Sequence, residues 1–267
     1  MKKRNILFLA ALPFLLVAPG RATEEKKAPF MGRNFAHRGL HKQDQSIPEN
    51  SMRAFGLAVE KGYGIELDVQ LTKDGQVVVF HDDTLERMCG VNARVDEFTF
   101  ADLQNLKLAG SSEDKIPLFS DVLVLVNGRS PMIVELKSGP RKEELCEKTL
   151  KLLESYKGDT CVESFDPSIV TWFRFHAPKM LRGQLTMNPE SYSKLSLIWQ
   201  QVLGNSLANI MARPQFIAHQ ISEKAPLTKL SEKMGAMRIC WTSHDPSNEE
   251  GNDAVIFEYY EPKPKYR

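Results

Sequence analysis

Gly64–Leu71 (GIELDVQL) constrains this chain more than any other stretch. Its alternation reads as a strand, so Glu66 and Asp68, two residues apart, point to one face while Ile65 and Leu67 point to the other. Two carboxylates side by side repel each other, and a packed sheet face does not tolerate them uncompensated. A shared proton, basic neighbours or a divalent cation would compensate.

A second strand signal, Gln76–Asp83 (QVVVFHDD), follows the turn residues Lys73-Asp74-Gly75 and carries His81 near its end. Upstream, Arg33–Gly39 places His37 and Arg38 at the close of a short apolar run, before a glycine. Catalytic-type side chains thus gather at strand C-termini, the edge that carries chemistry in parallel α/β folds. Downstream, Ile133–Lys137 (IVELK) puts Glu135 and Lys137 on one strand face. Glu66, Asp68 and Glu135 make an oxygen-rich set suited to Ca²⁺ or Mg²⁺. The competing reading is an ion-pair network in which Arg38 and Lys137 neutralise the acids.

The motifs HRG, PENS, ELDVQLTKDGQVVVFHD and ELK, in this order between His37 and roughly Trp241, resemble those of the glycerophosphodiester phosphodiesterase family. The resemblance implies a (β/α)8 TIM barrel of the PLC-like phosphodiesterase type. It implies His37 and His81 as the acid/base pair, and Glu66, Asp68 and Glu135 as ligands of one divalent cation, Ca²⁺ or Mg²⁺. Arg38 and Lys137 would bind the phosphodiester, whose charge grows on its equatorial oxygens as the nucleophile attacks. Phe165 (ESFDP) and Trp241 (CWT) match aromatic positions on the glycerol side of family pockets; an ordinary core role stands beside that reading. Glu49 and Asn50 of PENS lie at an expected helix start, as caps or as partners orienting a histidine or a metal ligand. His219 ends an expected strand and is a further residue to place against the pocket. One departure stands out: the family closes on threonine-aspartate-x-proline, whereas this chain reads Phe257-Glu258-Tyr259-Tyr260-Glu261-Pro262, which puts barrel closure and one pocket wall in question.

The implied reaction is metal-assisted attack of the glycerol 2-hydroxyl on phosphorus, with one histidine as base and the other as acid. Water would then open the cyclic phosphate, giving glycerol 3-phosphate and an alcohol. A neighbouring enzymatic reading is a phospholipase D-like or phosphoinositide-cleaving barrel acting on intact lipids. That reading wants an exposed apolar rim, and Thr84–Lys115 offers no run of aromatics. A non-catalytic binding barrel would be expected to lack a histidine or carboxylate, and all five are present.

Residues 1–22 read apart from the domain. Lys2-Lys3-Arg4 precede the apolar Ile6–Ala18, and Pro19-Gly20 break the run before a small-x-small site at Gly20-Arg21-Ala22. Cleavage would give a mature chain from Thr23; retention would leave a membrane tether through residues 6–18. Both place the domain outside the cytoplasm, secreted or anchored. Residues 23–32 read as a solvated linker and 33–267 as one barrel domain. Removing residues 1–22 leaves 31 basic against 34 acidic residues, a net −3, which argues against a nucleic-acid partner. Cys89, Cys146, Cys161 and Cys240 fit no metal spacing and read as free, buried thiols rather than a disulfide framework.

The coarse pattern gives about eight strand-then-helix units. It includes a helix over Pro48–Lys61 capped by Ser46, a strand at Val77–His81, a helix over Tyr192–Gly204 and a last strand at Met237–Thr242.

Overall fold

The computed structural model describes residues 12–267. Eight parallel strands close into a barrel: β1 (Arg33–Ala36), β2 (Gly64–Leu71), β4 (Met132–Leu136), β5 (Thr160–Ser164), β6 (Leu181–Thr186), β7 (Phe216–Gln220), β8 (Met237–Ser243) and β9 (Ala254–Phe257). β1 pairs with both β2 and β9, which closes the ring. The ninth strand, β3 (Val77–Val79), lies outside it, antiparallel to the upper end of β2. Five longer helices pack outside: α1 (Met52–Glu60), α2 (Phe119–Val126), α3 (Lys142–Ser155), α4 (Pro167–His176) and α5 (Leu197–Gly204). A sixth, α6 (Pro226–Lys233), precedes β8.

The period-two alternation sorts the strand residues into two layers. Ile65, Leu67, Val69, Val134, Leu136 and Val162 face the helices and pack on Phe55, Phe119, Val122 and Phe173. Phe35, Ile133, Cys161, Leu181, Phe216, Met237, Ile239 and Ala254 fill the lower barrel. Gly64 and Gly183 make this filling fit, because a Cβ on either would collide with the ring of Phe35 or Phe216. The lower barrel is therefore packed, and polar side chains emerge only at its C-terminal mouth.

Three elements differ from the sequence expectation. The helix expected over Pro48–Lys61 begins at Met52, capped by Ser51, whose side chain accepts from Ala54 N. Asn50 cannot be helical: it sits at φ 53°, with its amide drawn to Asp68. The expected helix Tyr192–Gly204 divides into a 3-10 turn, Pro189–Tyr192, and α5. The eighth barrel strand is Ala254–Phe257, not Val77–His81, so the expected count of eight stands with one member exchanged.

Thr84–Lys115 folds over the β2–β3 hairpin around a separate cluster that includes Phe80, Leu85, Met88, Leu103 and Ile116. Of the leader expectation, residues 1–11 lie outside the described residues. Residues 12–17 are helical, and Val17 is buried. Gly20 N donates to Pro214 O at 2.9 Å, and Arg213 donates to Ala18 O at 2.9 Å. Among the described residues no helix is long and apolar enough to cross a membrane. Within 23–32, Glu24–Lys27 forms an exposed helical turn, whereas Phe30 is buried and stacks on Phe35 at 5.9 Å. The four cysteines are free. Burial pushes the thiols of Cys146 and Cys240 up to about 12, so they stay protonated.

Candidate active site

Inward positions at the mouth come from neighbouring strands. β2 supplies Glu66 and Asp68, and β4 supplies Glu135, which pairs in register with Asp68. One oxygen from each of these three carboxylates lies within 4.8 Å of the others. All three residues are buried. Burial, with Asp68, Glu135 and Glu163 nearby, raises the Glu66 pKa well above the usual carboxylate range. Burial raises Glu135 as well, against the pull of Lys137. Asp68 goes the other way: burial opposes its ionisation, but Lys137, His81 and Arg38 together hold it well below the range. Lys137 Nζ donates to Glu135 Oε1 at 2.8 Å and to Asp68 Oδ1 at 3.2 Å. The ion-pair network and the oxygen cluster are thus both real, built from the same atoms.

Sequence reasoning passed over a fourth carboxylate. Glu163 on β5 is in register with Glu135, is 2% exposed, and its Oε2 has no hydrogen-bond partner. Burial, then Glu135 and Asp68, push its pKa well up. Its parity with Cys161, two residues before it on the same inward face, was the available signal. A cluster of buried, all-oxygen donors with an unpartnered oxygen beside it fits a hard divalent cation, which would lower the cost of keeping these carboxylates ionised.

His37 follows β1, and Glu258 follows the adjacent β9. Glu258 Oε2 lies 2.8 Å from His37 Nδ1, leaving Nε2 directed inward, 4.0 Å from Glu66 Oε2. Burial lowers the His37 pKa, with Glu258 opposing. Glu258 was missed because it falls where the family pattern is broken; the structure shows β9 closing the barrel and its next residue filling the doubtful wall. His41 and His244 approach the same carboxylate at 3.8 and 3.6 Å. Arg38, at φ 54°, donates its backbone N–H to Glu66 Oε2 at 3.0 Å and its guanidinium to Glu49 at 2.7 Å. Strained backbone at both Arg38 and Asn50 is held by these carboxylate contacts.

His81 does not end a barrel strand, contrary to the expectation. It follows the antiparallel β3, and the hairpin carries it back over the mouth; Phe80 N donates to Asp68 O at 3.0 Å. Gln70 pins the return by donating to Phe80 O and Asp82 O. Asp82 Oδ1 lies 2.7 Å from His81 Nδ1, and Arg87 clamps Asp82. The same guanidinium holds both oxygens of Glu49 at 2.7 and 2.8 Å. Glu49 therefore links Arg38 to Arg87 and caps nothing, while Asn50 donates to Asp68 at 2.9 Å. Phe165 and Trp241 meet edge to face at 5.5 Å, both half-buried at the mouth. His219 alternates with the inward Ala218 and is fully buried away from the pocket.

The sequence model described as the glycerophosphoryl diester phosphodiesterase family matches residues 37–260. Among curated proteins, a glycerophosphodiester phosphodiesterase of Bacillus altitudinis is 35% identical over 179 residues, 61% of this chain and 72% of that one. One of Caldanaerobacter subterraneus subsp. tengcongensis is 34% identical, covering 62% of this chain and 65% of its own length. Among solved structures, an Oleispira antarctica phosphodiesterase, crystallised with the product sn-glycerol-3-phosphate, superposes with a TM-score of 0.69 at 21% identity. That match covers 85% of this chain and 93% of the other, and its likeness is one of fold.

Proposed function

The chain belongs to the glycerophosphoryl diester phosphodiesterase family and is a phosphoric diester hydrolase; on that basis we propose that it hydrolyses glycerophosphodiesters to glycerol 3-phosphate and an alcohol through two oriented histidines and one divalent cation. The observation that carries this reading is the placing of His37 Nε2 beside a buried three-carboxylate cluster, 4.0 Å from Glu66.

Glu66, Asp68 and Glu135 would hold the cation, which when bound supplies positive charge to the phosphoryl oxygens and the attacking hydroxyl. His37, neutral and fixed by Glu258, takes the proton of the glycerol 2-hydroxyl at Nε2. An adjacent hydroxyl is already within reach of phosphorus, so proximity supplies part of the rate. Arg38 and Lys137 face the growing charge on the equatorial oxygens. His81, fixed through Asp82 and Arg87, protonates the departing alcohol. The roles then reverse as water opens the cyclic phosphate. Phe165 and Trp241 would flank the glycerol carbons. The cation is Ca²⁺ or Mg²⁺, since an all-carboxylate set suits both. The Oleispira enzyme's bound product is the product proposed here.

A glycerophosphocholine analogue lacking the 2-hydroxyl tests the intramolecular step. The expected result is turnover of glycerophosphocholine, with a transient cyclic phosphate by phosphorus NMR, and no turnover of the analogue. Equal turnover of both would remove the cyclic intermediate. Export belongs to the same proposal and rests on Lys2–Arg4 and Ile6–Ala18. Fractionation of producing cells tests it, and recovery of the activity in the cytoplasm would contradict it.

A further inference from the structure

The connection from β6 to β7, residues 187–215, runs down one flank of the barrel from mouth to floor. Only Glu190, Lys194 and Arg213 of its 29 residues are charged, against 26% of the whole chain. Its first part exposes Leu195, Leu197, Ile198 and Trp199, with Leu197 and Ile198 at 75%. Closer to the floor it exposes Ile210 and Met211. Leu195, Trp199, Ile210 and Met211 border one groove, so the two stretches form a single face. Scattered exposed apolar residues are ordinary, whereas a contiguous set marks an interaction surface.

The N-terminal segment leaves the barrel at the lower end of that face. The Asn209 side chain donates to Val17 O at 3.4 Å, Arg213 to Ala18 O at 2.9 Å and Gln215 to Arg21 O at 3.2 Å. Gly20 N donates in turn to Pro214 O, and a Cβ at Gly20 would collide with Arg213 O. Residues 17–21, which reach into the small-x-small site, are thus built into the barrel floor. The helical stretch 12–17 exposes Leu12, Phe14 and Leu15, and its end at Val17 lies against Asn209, beside Ile210 and Met211. Upstream, the sequence is apolar from Ile6 and basic at Lys2-Lys3-Arg4.

We propose that this flank is a bilayer-docking face: residues 1–22 stay on the chain, and the barrel lies sideways on an anionic membrane with Leu197, Ile198, Trp199, Ile210 and Met211 in the interface. Export alone is compatible with cleavage or retention; docking requires retention and is independent of the reaction at the mouth. Residues 6–18 are shorter than the roughly 20 apolar residues that span a bilayer, so firm attachment needs a second apolar contact. The flank provides it. Cations border the face: Lys194 lies at the groove, and Arg174 donates to Ile210 O and Met211 O. Arg174 and Arg213 are close enough to repel each other, which anionic headgroups would relieve. A second copy covering the face about a twofold axis would instead set these cations against their own kind.

Flotation of the full chain with phosphatidylcholine vesicles, with and without phosphatidylglycerol, tests the docking. The expected result is binding that the anionic lipid strengthens severalfold. Leu197→Glu combined with Ile198→Glu, at two highly exposed positions, should bind at least tenfold more weakly with an unchanged melting temperature. Brominated lipid should quench the fluorescence of the wild type more than that of Trp199→Phe, because Trp199 enters the interface. Binding indifferent to the double substitution, with no quenching specific to Trp199, would leave the N-terminal segment as a tether alone and overturn the docking face. A solution dimer that the double substitution dissociates would give the face to a second copy and overturn it as well. So would a chain from producing cells whose intact mass places its first residue at Thr23.

Discussion

Glu258 and His37, 221 positions apart in the sequence, meet at 2.8 Å between Oε2 and Nδ1. The pair exists because β1 and β9 are neighbours where the barrel closes, with Ala36 in register with Phe257, so the next residue on each strand enters the mouth together. The carboxylate fixes which ring nitrogen faces the three-carboxylate cluster, and in the proposed reaction it would stabilise the imidazolium formed on His37.

Glu258→Gln should therefore lower kcat on the order of 100-fold with little change in thermal stability. Burial already lowers the His37 pKa and Glu258 opposes that shift, so removing its charge lowers the pKa further. With the neutral ring proposed as the base, the acid limb of the pH–rate profile should move to lower pH in the variant. A limb moved to higher pH would contradict the assignment.

His81 is assigned to the leaving group, and an activated leaving group needs no proton. His81→Ala should be nearly inactive on glycerophosphocholine but, on a glycerophosphodiester of 4-nitrophenol, recover most of the first step, read as single-turnover nitrophenol release. His37→Ala should recover none. Reversed behaviour would exchange the two roles.

The buried acids predict how the metal-free protein responds to pH. Glu66 and Glu163 have folded pKa values raised above the ordinary 4.5, so between 4.5 and the raised values the native state binds more protons than the unfolded chain. Stability should then fall as pH rises through that window. Glu163→Gln should raise the melting temperature of the metal-free protein at neutral pH and flatten this dependence. Saturating Ca²⁺ or Mg²⁺ at 100 times its Kd should add about 2.7 kcal/mol at neutral pH, and less near pH 5. Thermal scans across pH, with and without the cation, check both.

Gly64→Ala and Gly183→Ala should each destabilise the fold by about 1–3 kcal/mol, because the added methyl meets the Phe35 or Phe216 ring in a packed floor. Chemical denaturation gives the number. A neutral result would mean that the lower barrel is less tightly filled than described.

The strand parity of Glu66, Asp68 and Glu135 was legible because a period of two converts spacing directly into facing. The strand count was legible too, but β3 has the composition of a barrel strand, and only its register with β2 excludes it. The helix start at Met52 was hidden because PENS looks like a first turn; the contact that pulls Asn50 to Asp68 is tertiary. Glu258 was hidden for a similar reason, since its role depends on which strand closes against β1. The exposed apolar face of α5 was not legible at all: Leu197, Ile198 and Trp199 have the composition of a buried helix face, and exposure is a property of the assembled barrel.

The most direct test of the central claim is glycerol 3-phosphate release from glycerophosphocholine by the purified full chain, with and without EDTA, and with Ca²⁺ or Mg²⁺ restored. The account predicts release that EDTA stops and one of the two cations restores. Release that persists undiminished in EDTA would contradict the role given to Glu66, Asp68 and Glu135. A folded protein that releases nothing with either cation would contradict the proposed reaction.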